Sequence, residues 1–498
     1  MVATPDGVIP LGKRARRWIP SLIGYDSDGR VVVGDDADGP DIRAIRSIKR
    51  AITTDQQTIR AELPGGPGAE AADDLMVAFL AEALRVAAEA GARIDDHSLL
   101  RLGCPAGWNG KQRRRLLAIA TRAGLAATLP GLVDEPVAAG IAWLSGLRAD
   151  RPGPLRIVVF DMGGGTLDIA VLDVHGDRRR DVAVLAANGV PEAGDALDEA
   201  IARDLEHVVA LDLDASDNPA SARAELRDAA RQIKVGLTTE DETPVTLSRR
   251  YFDNAEIWYT RDQFDAVFEP QMDRAEDAVI ATLRAARITE RSPDSSYEIS
   301  RTPIADLVAP VDVVVLSGGM SHVPYVRQRL MNLFNSGRTE IVNAYPPSHD
   351  ASLFQAPELA VAIGLAQADD FGRINMYRPA FDILLEWNHR EHFRTVYDAF
   401  TPLVEPWQIY RGGTSLCYTR NGVELGLPRT GSGVLRVESH NGRKPRATLG
   451  NIDLDGFSVA LSEQKFEFSI YPNGRIRMRD GEGTYTGQLD DWHTIERG

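Results

Sequence analysis

The run Ile157–Val174 constrains the fold more than any other part of this 498-residue chain. An apolar strand leads into Asp161, three consecutive glycines (Gly163, Gly164 and Gly165) make a turn, and Thr166 follows. Leu167, Ile169 and Val171 then alternate with Asp168 and Ala170, the period-two pattern of a second strand. A Walker-type phosphate loop opens a helix and carries Gly-Lys-Ser/Thr, and this run does neither. The reading is a β-hairpin whose glycine turn lets backbone N–H groups close on a polyphosphate, a nest-like anion site. A carboxylate at the mouth of such a site repels its ligand unless a cation such as Mg2+ stands between them. Taken alone, the run has a second reading, a tight hairpin in an α/β sheet.

The length predicts two or three domains. Hydrophobic content of 43% with 26% charged residues belongs to an ordinary globular protein. A net charge of −16 argues against general attraction to nucleic acid or to an anionic membrane. Lysine is scarce and arginine carries most of the positive charge, a bias of GC-rich bacterial genomes. Cys104 and Cys417 lie far apart and form no metal or redox motif, which suits a reducing cytoplasm. No apolar leader opens the chain and no apolar run spans a bilayer, so a cytoplasmic protein is expected. His389 and His392 give one H-x-x-H pair with no second ligand pair, which reads as exposed side chains rather than zinc ligands.

Along the chain, residues 1–50 read as short strands and turns. A Gly/Pro turn at Pro64–Gly68 precedes a helix with Asp73 and Asp74 in its first turn and Gly91 past its end. Strands and helices alternate to about residue 370, which predicts an α/β core. Residues 400–498 carry Gly-Gly, Asn-Gly and Gly-Ser-Gly turns between short alternating stretches and read as an all-β module. The apolar run Phe381–Trp387 between them reads either as a first strand or as a docking linker.

Three further segments make the glycine turn specific. Leu132–Trp143 pairs a carboxylate with a proline and starts a helix of small residues that can pack close to a nucleotide site. Val313–Pro324 is a buried strand ending in Gly318-Gly319, whose bare backbone would admit a ribose or adenine. Cys104–Arg113 is a strand–loop–helix junction ahead of a basic helix.

Together these segments resemble the heat shock protein 70 family, the DnaK-type chaperones of the actin/sugar-kinase ATPase fold. Asp161–Asp168 resembles the family's second phosphate motif, Asp134–Trp143 its connecting motif and Leu316–Pro324 its adenosine motif. Pro105–Arg113, Asn188–Asp198, Ala229–Thr239 and Pro357–Gly364 match further family segments in consistent order. In the β module, Leu449–Gly456 and Phe466–Ile476 resemble family stretches, and Asp382–Glu386 resembles the interdomain linker. The resemblance implies an α/β, actin-like ATPase domain over residues 1–375, a linker over 376–399 and a β-sandwich over 400–498.

It also implies roles. Asp161 would hold Mg2+ through water, Glu135 would orient the metal's water shell or the attacking water, and Thr166 would bond the γ-phosphate or that water. Lys49 matches the lysine that reaches the γ-phosphate. Gly163, Gly164, Gly165, Gly194, Lys234, Thr238, Gly318, Gly319, Ser321 and Glu358 would line ATP or ADP. Pro105 and Arg113, with Ile383, Leu384 and Leu385, would relay nucleotide state to a domain that holds extended polypeptide, with co-chaperones as further partners. A nucleotide-sensing adaptor with little turnover, bound to one dedicated partner, is the alternative. Two departures accompany the resemblance. The numbered chain aligns Val2–Gly7 after the family's opening Asp-x-Gly-Thr-Thr-x-Ser loop, so that first phosphate loop is expected to be missing. The chain's end at Gly498 leads to the expectation of no helical lid.

Overall fold

The computed structural model describes the chain except residues 1, 5–6, 10, 12–18, 27, 38, 40–41, 43, 47, 60–69, 92–99, 126–130, 147–153, 176–180, 210–217, 253–255, 291–295, 336, 345–356, 369–370, 376, 406–407, 409–415, 441–444 and 490–498. The turn expected at Pro64–Gly68 lies outside the described residues. Among those described, no helix is long and apolar enough to cross a membrane.

One of two six-stranded sheets among the described residues runs in the order Glu340–Asn343, Val313–Ser317, Leu155–Met162, Leu167–His175, Asp181–Val190, Gly372–Asn375. Its central strand is apolar from Ile157 to Phe160 because both faces are covered: Ile157, Val158, Val159 and Phe160 are all fully buried. Leu155–Met162 runs antiparallel to Leu167–His175 and parallel to Val313–Ser317. The helices Glu135–Gly146 and Arg261–Glu290 both pack on this sheet. Glu135–Gly146 also crosses the helix Ala360–Gln367 so closely that a Cβ on Gly364 would fall 1.7 Å from the Ala138 carbonyl oxygen. Gly140 lies against Leu172 and Val159. The small residues of this helix therefore serve helix and sheet packing.

A second core forms from earlier segments. The hairpin Leu22–Tyr25/Val31–Val33, the helices Lys49–Thr53, Ala72–Glu89 and Gly110–Arg122 and the parallel strands Leu102–Cys104 and Leu132–Asp134 surround it. Ile23, Ile52, Leu75, Trp108, Ile119 and Leu132 fill it. The hairpin Val2–Thr4/Gly7–Ile9 and the pair Leu102–Cys104/Leu132–Asp134 form separate two-stranded sheets among the described residues. The helix Gly110–Arg122 starts on a capping box, with the Asn109 side chain accepting from the Gln112 N–H and the Gln112 side chain accepting from the Asn109 N–H.

The β-rich region begins earlier than expected. Phe381–Trp387 is a strand hydrogen-bonded on both edges, to His392–Tyr397 and to Ser432–Ser439. Phe381, Ile383 and Leu385 face its core and Leu384 is half-buried, so period-two burial makes this segment sheet rather than free linker. The linker expected over 376–399 is thus corrected to the few residues between Asn375 and Phe381, and the module starts at Phe381 rather than at 400. A four-stranded and a six-stranded sheet share one core of Ile383, Leu385, Leu435, Val459, Phe468 and Met478.

Candidate functional site

Asp161 ends its strand, and the ladders place Ser317 on one side of it and Asp168 on the other. Carboxyl ends of strands in an open α/β sheet are where such folds take ligands. Glu135 opens the helix that follows Leu132–Asp134. Lys49, at the start of its short helix, donates to both Glu135 oxygens at 2.8 Å. That helix is held from behind: Trp108 Nε1 donates to the Thr53 hydroxyl at 3.0 Å, and Gln112 donates to the Ile52 and Thr53 carbonyls. Segments far apart in the chain thus bring Lys49, Glu135 and Asp161 together.

The electrostatics have one sign. Burial and then the Glu135 charge push the Asp161 carboxyl up to about 7, against a hydrogen bond with Ser317 and the pull of Lys49. Burial and Glu135 raise Asp168 as well. Burial disfavours the Lys49 ammonium, but Glu135, Asp168 and Asp161 outweigh it and raise its pKa. Three acids share one lysine. The cluster is short of positive charge, the condition a bound cation would relieve. Asp168 went unassigned in the sequence reading. It is buried, its Oδ1 accepts the Ala106 N–H at 2.6 Å, and the Thr166 hydroxyl is bonded to its carboxylate. Thr166 is therefore engaged by the protein itself.

The glycine turn differs from a nest. Gly163 N–H closes it on the Thr166 carbonyl at 3.0 Å, and the Gly163 and Gly164 carbonyls accept from Gly194 and Asp195 at the start of the helix Gly194–Val208. None of the three glycines adopts a left-handed φ. A Cβ on Gly165 would meet nothing within 4 Å, so bare, open surface is what this glycine supplies. Gly318 is a different case. Its φ is +79° and a Cβ there would lie 2.3 Å from the Met162 carbonyl oxygen. It is bare so that its backbone can seat against the Asp161 strand; only Gly319 opens onto free space. Of the two glycines expected at a nucleoside, Gly319 alone has open space at its Cβ position.

Gly194 joins several expected positions, its missing Cβ lying 3.2 Å from each of the Gly163 carbonyl oxygen, Lys234 Nζ and Met320 Sδ. Lys234 donates to the Gly194 carbonyl at 3.0 Å and pairs with Asp198 at 2.6 Å. Thr238 and Ser321 bond back to the Val235 and Ser317 carbonyls. Glu358 pairs with His322 Nε2 at 3.2 Å.

Of the expected relay residues, Ile383 and Leu385 lie in the core of the β module, while Arg113 belongs to a buried polar cluster. Pro105 O accepts from Trp108 N at 3.1 Å. Arg113, 1% exposed, donates to the Trp108 carbonyl and the Asp134 carboxylate and stacks over Phe400 at 5.7 Å. Two arginines that the sequence reading missed complete it. Arg378, also 1% exposed, donates to the carbonyls of Trp108 and Ala106. Arg114 donates to both Asp382 oxygens at 2.8 and 2.9 Å and to Asp398. Gly110 seats directly against Asp398, whose Oδ2 would lie 2.4 Å from a Cβ there.

Comparison with known sequences agrees with this geometry. The family model described as Hsp70 protein matches residues 8–345. The chaperone protein DnaK of Thermotoga neapolitana is 28% identical over 381 residues, 73% of this chain and 55% of that protein. The chaperone protein HscA of Edwardsiella ictaluri is 30% identical over 379 residues, 72% of this chain and 53% of that protein. The chain spans about half the length of the curated relatives it matches. With the family model covering more than half of the sequence, the chain belongs to the Hsp70 family.

Proposed function

We propose that the chain is a chaperone-like ATPase that binds Mg-ATP between the lobes of an actin-like domain and couples its state to polypeptide binding in the β module. One observation carries this reading: the surplus of carboxylate at buried Asp161 and Asp168 and half-buried Glu135 beside a glycine turn with open space at Gly165. A chaperone role is also what the relatives' names describe.

The donor set fits a hard divalent cation. Among the described residues no three acidic, histidine or cysteine side chains converge tightly enough to hold a metal by themselves, so Asp161 and Asp168 would reach Mg2+ through water. Bound there, the ion would neutralise phosphate charge that the carboxylates alone repel. Lys49, fixed by Glu135, supplies the fixed cation of the cleft. Gly165 and Gly319 leave room for phosphate and nucleoside. In the β module the exposed Phe393 offers apolar surface for an extended chain.

A second reading, the nucleotide-sensing adaptor, is favoured by the commitments of Thr166 to Asp168 and of Lys49 to Glu135, which leave fewer groups free for the chemical step. Single-turnover hydrolysis by the purified protein decides between them. Conversion of bound ATP that Glu135→Ala slows more than it weakens binding supports the ATPase. Tight binding with no conversion supports the adaptor.

A further inference from the structure

We infer that Arg378 is a positioning residue that ties the β module to the carboxylate cluster through a single residue, Ala106. The inference rests on the nucleotide-site reading above only for its physiological trigger. The N–H of Ala106 donates to Asp168 Oδ1, and the carbonyl of the same residue accepts from the Arg378 guanidinium. One residue therefore carries, on its two backbone polar groups, a bond to the cluster and a bond to the connector that leads into Phe381–Trp387.

Nothing in this link is slack. Gly107, next along, meets Gly189 backbone to backbone, with 3.1 Å from its absent Cβ to the Gly189 carbonyl oxygen. A Cβ on Gly189 would in turn lie 2.8 Å from Asp168 Oδ1. A shift of the Asp168 carboxylate thus moves the 105–108 loop rather than being absorbed by a void.

On its other side Arg378 is anchored at the end of the strand Gly372–Asn375, just ahead of the module. Its own N–H donates to Asn375 Oδ1 at 2.9 Å. Around it, Phe400 N–H donates to the Pro379 carbonyl at 2.9 Å, Leu403 N–H to the Tyr377 carbonyl at 3.1 Å and Ala399 N–H to Asp382 at 2.6 Å. Arg378 shares Asp134, 3.8 Å away, with Arg113, so this buried site holds two guanidinium groups for one carboxylate. An arginine placed there with so little charge compensation is retained for the carbonyls it grips, since burial of an under-compensated charge opposes stability. Arg114, by contrast, grips Asp382 and Asp398 directly and has no bond to Ala106, which makes it the natural control.

Hydrogen exchange of the Ala399, Phe400 and Leu403 amides in the full chain tests the link. Without nucleotide, Asp168→Ala should speed their exchange about tenfold, the effect of one lost charge-assisted hydrogen bond. In an Arg378→Met background the same Asp168→Ala change should add less than about twofold, because the carrier is already cut. Arg378→Lys, which keeps a donor, should restore part of the dependence and serves if the methionine variant fails to fold. Arg114→Ala should speed exchange while leaving the Asp168 effect intact. Equal Asp168→Ala effects with and without Arg378 would overturn the inference. A second arm adds Mg2+ with ATP: it should alter exchange at these amides in the native chain and not in Arg378→Met. Absence of ATP binding by calorimetry would count against the nucleotide reading alone, since the first arm needs no ligand.

Discussion

Two charged clusters meet the 105–113 segment, and they are unbalanced in opposite directions. At the cleft, Asp161, Asp168 and Glu135 share Lys49, and burial lifts the two aspartates rather than stabilising their charges. At the module contact, Arg113 and Arg378 share Asp134, and both guanidinium groups are sealed from solvent. The acid-rich site faces open space at Gly165 and Gly319, whereas the arginine-rich site is closed by Phe400 and by backbone carbonyls. An open cluster with missing charge awaits something from solution. A closed cluster with surplus charge has its partners built in, and its work is to hold two parts of the chain together.

The largest expected effect is at the closed cluster. Arg113→Ala takes from buried Asp134 its hydrogen-bonded partner, leaving only Arg378 at 3.8 Å, and should lower stability by roughly 3–5 kcal/mol, read as a fall in Tm. A drop no larger than that of a surface substitution would mean that the site is open to water. At the cleft the sign reverses. Asp161 has a folded pKa raised above its unfolded value, so its contribution is fully present below the unfolded pKa and is lost as pH rises toward about 7. Asp161→Asn should therefore stabilise the ligand-free, metal-free protein at pH 8, by about 4 kcal/mol at most, and flatten the decline of Tm between pH 4 and 7. A lower Tm for this variant at pH 8 would show the carboxylate to be well solvated.

Gly318 and Gly319 sharpen the contrast between seated and open backbone. Gly318→Ala should destabilise by roughly 1–3 kcal/mol through its left-handed φ and the Met162 contact. Gly319→Val should leave Tm unchanged but weaken Mg-ATP tenfold or more by calorimetry. The smallest effect belongs to the half-exposed latch: Arg114→Ala should cost about 1 kcal/mol or less by denaturant titration.

The glycine hairpin, the buried central strands and the order of elements were legible because periodicity and turn residues are local signals. Asp168 was legible too and was passed over. A turn over 163–166 pairs Met162 with Leu167 and so sets Asp168 opposite Asp161. Phe381–Trp387 showed the period of a strand, but its likeness to a linker pulled the reading away from it. The roles of the three consecutive arginines could not be read. Residues one apart on a helix point about 100° apart. Arg113 goes to Asp134, Arg114 to the β module and Arg115 to Asp73, three partners fixed only by tertiary packing. Arg378 lies outside any periodic element, and its acceptors are carbonyls about 270 residues away in sequence.

The acid surplus as a built-in receptor for a magnesium nucleotide is tested most directly by titrating ATP into the full-length protein with Mg2+ and then with excess chelator. Saturable one-to-one binding that weakens at least tenfold on chelation, and again in Asp161→Asn, is the predicted result. Binding of equal strength with and without Mg2+, undiminished in Asp161→Asn, would contradict it.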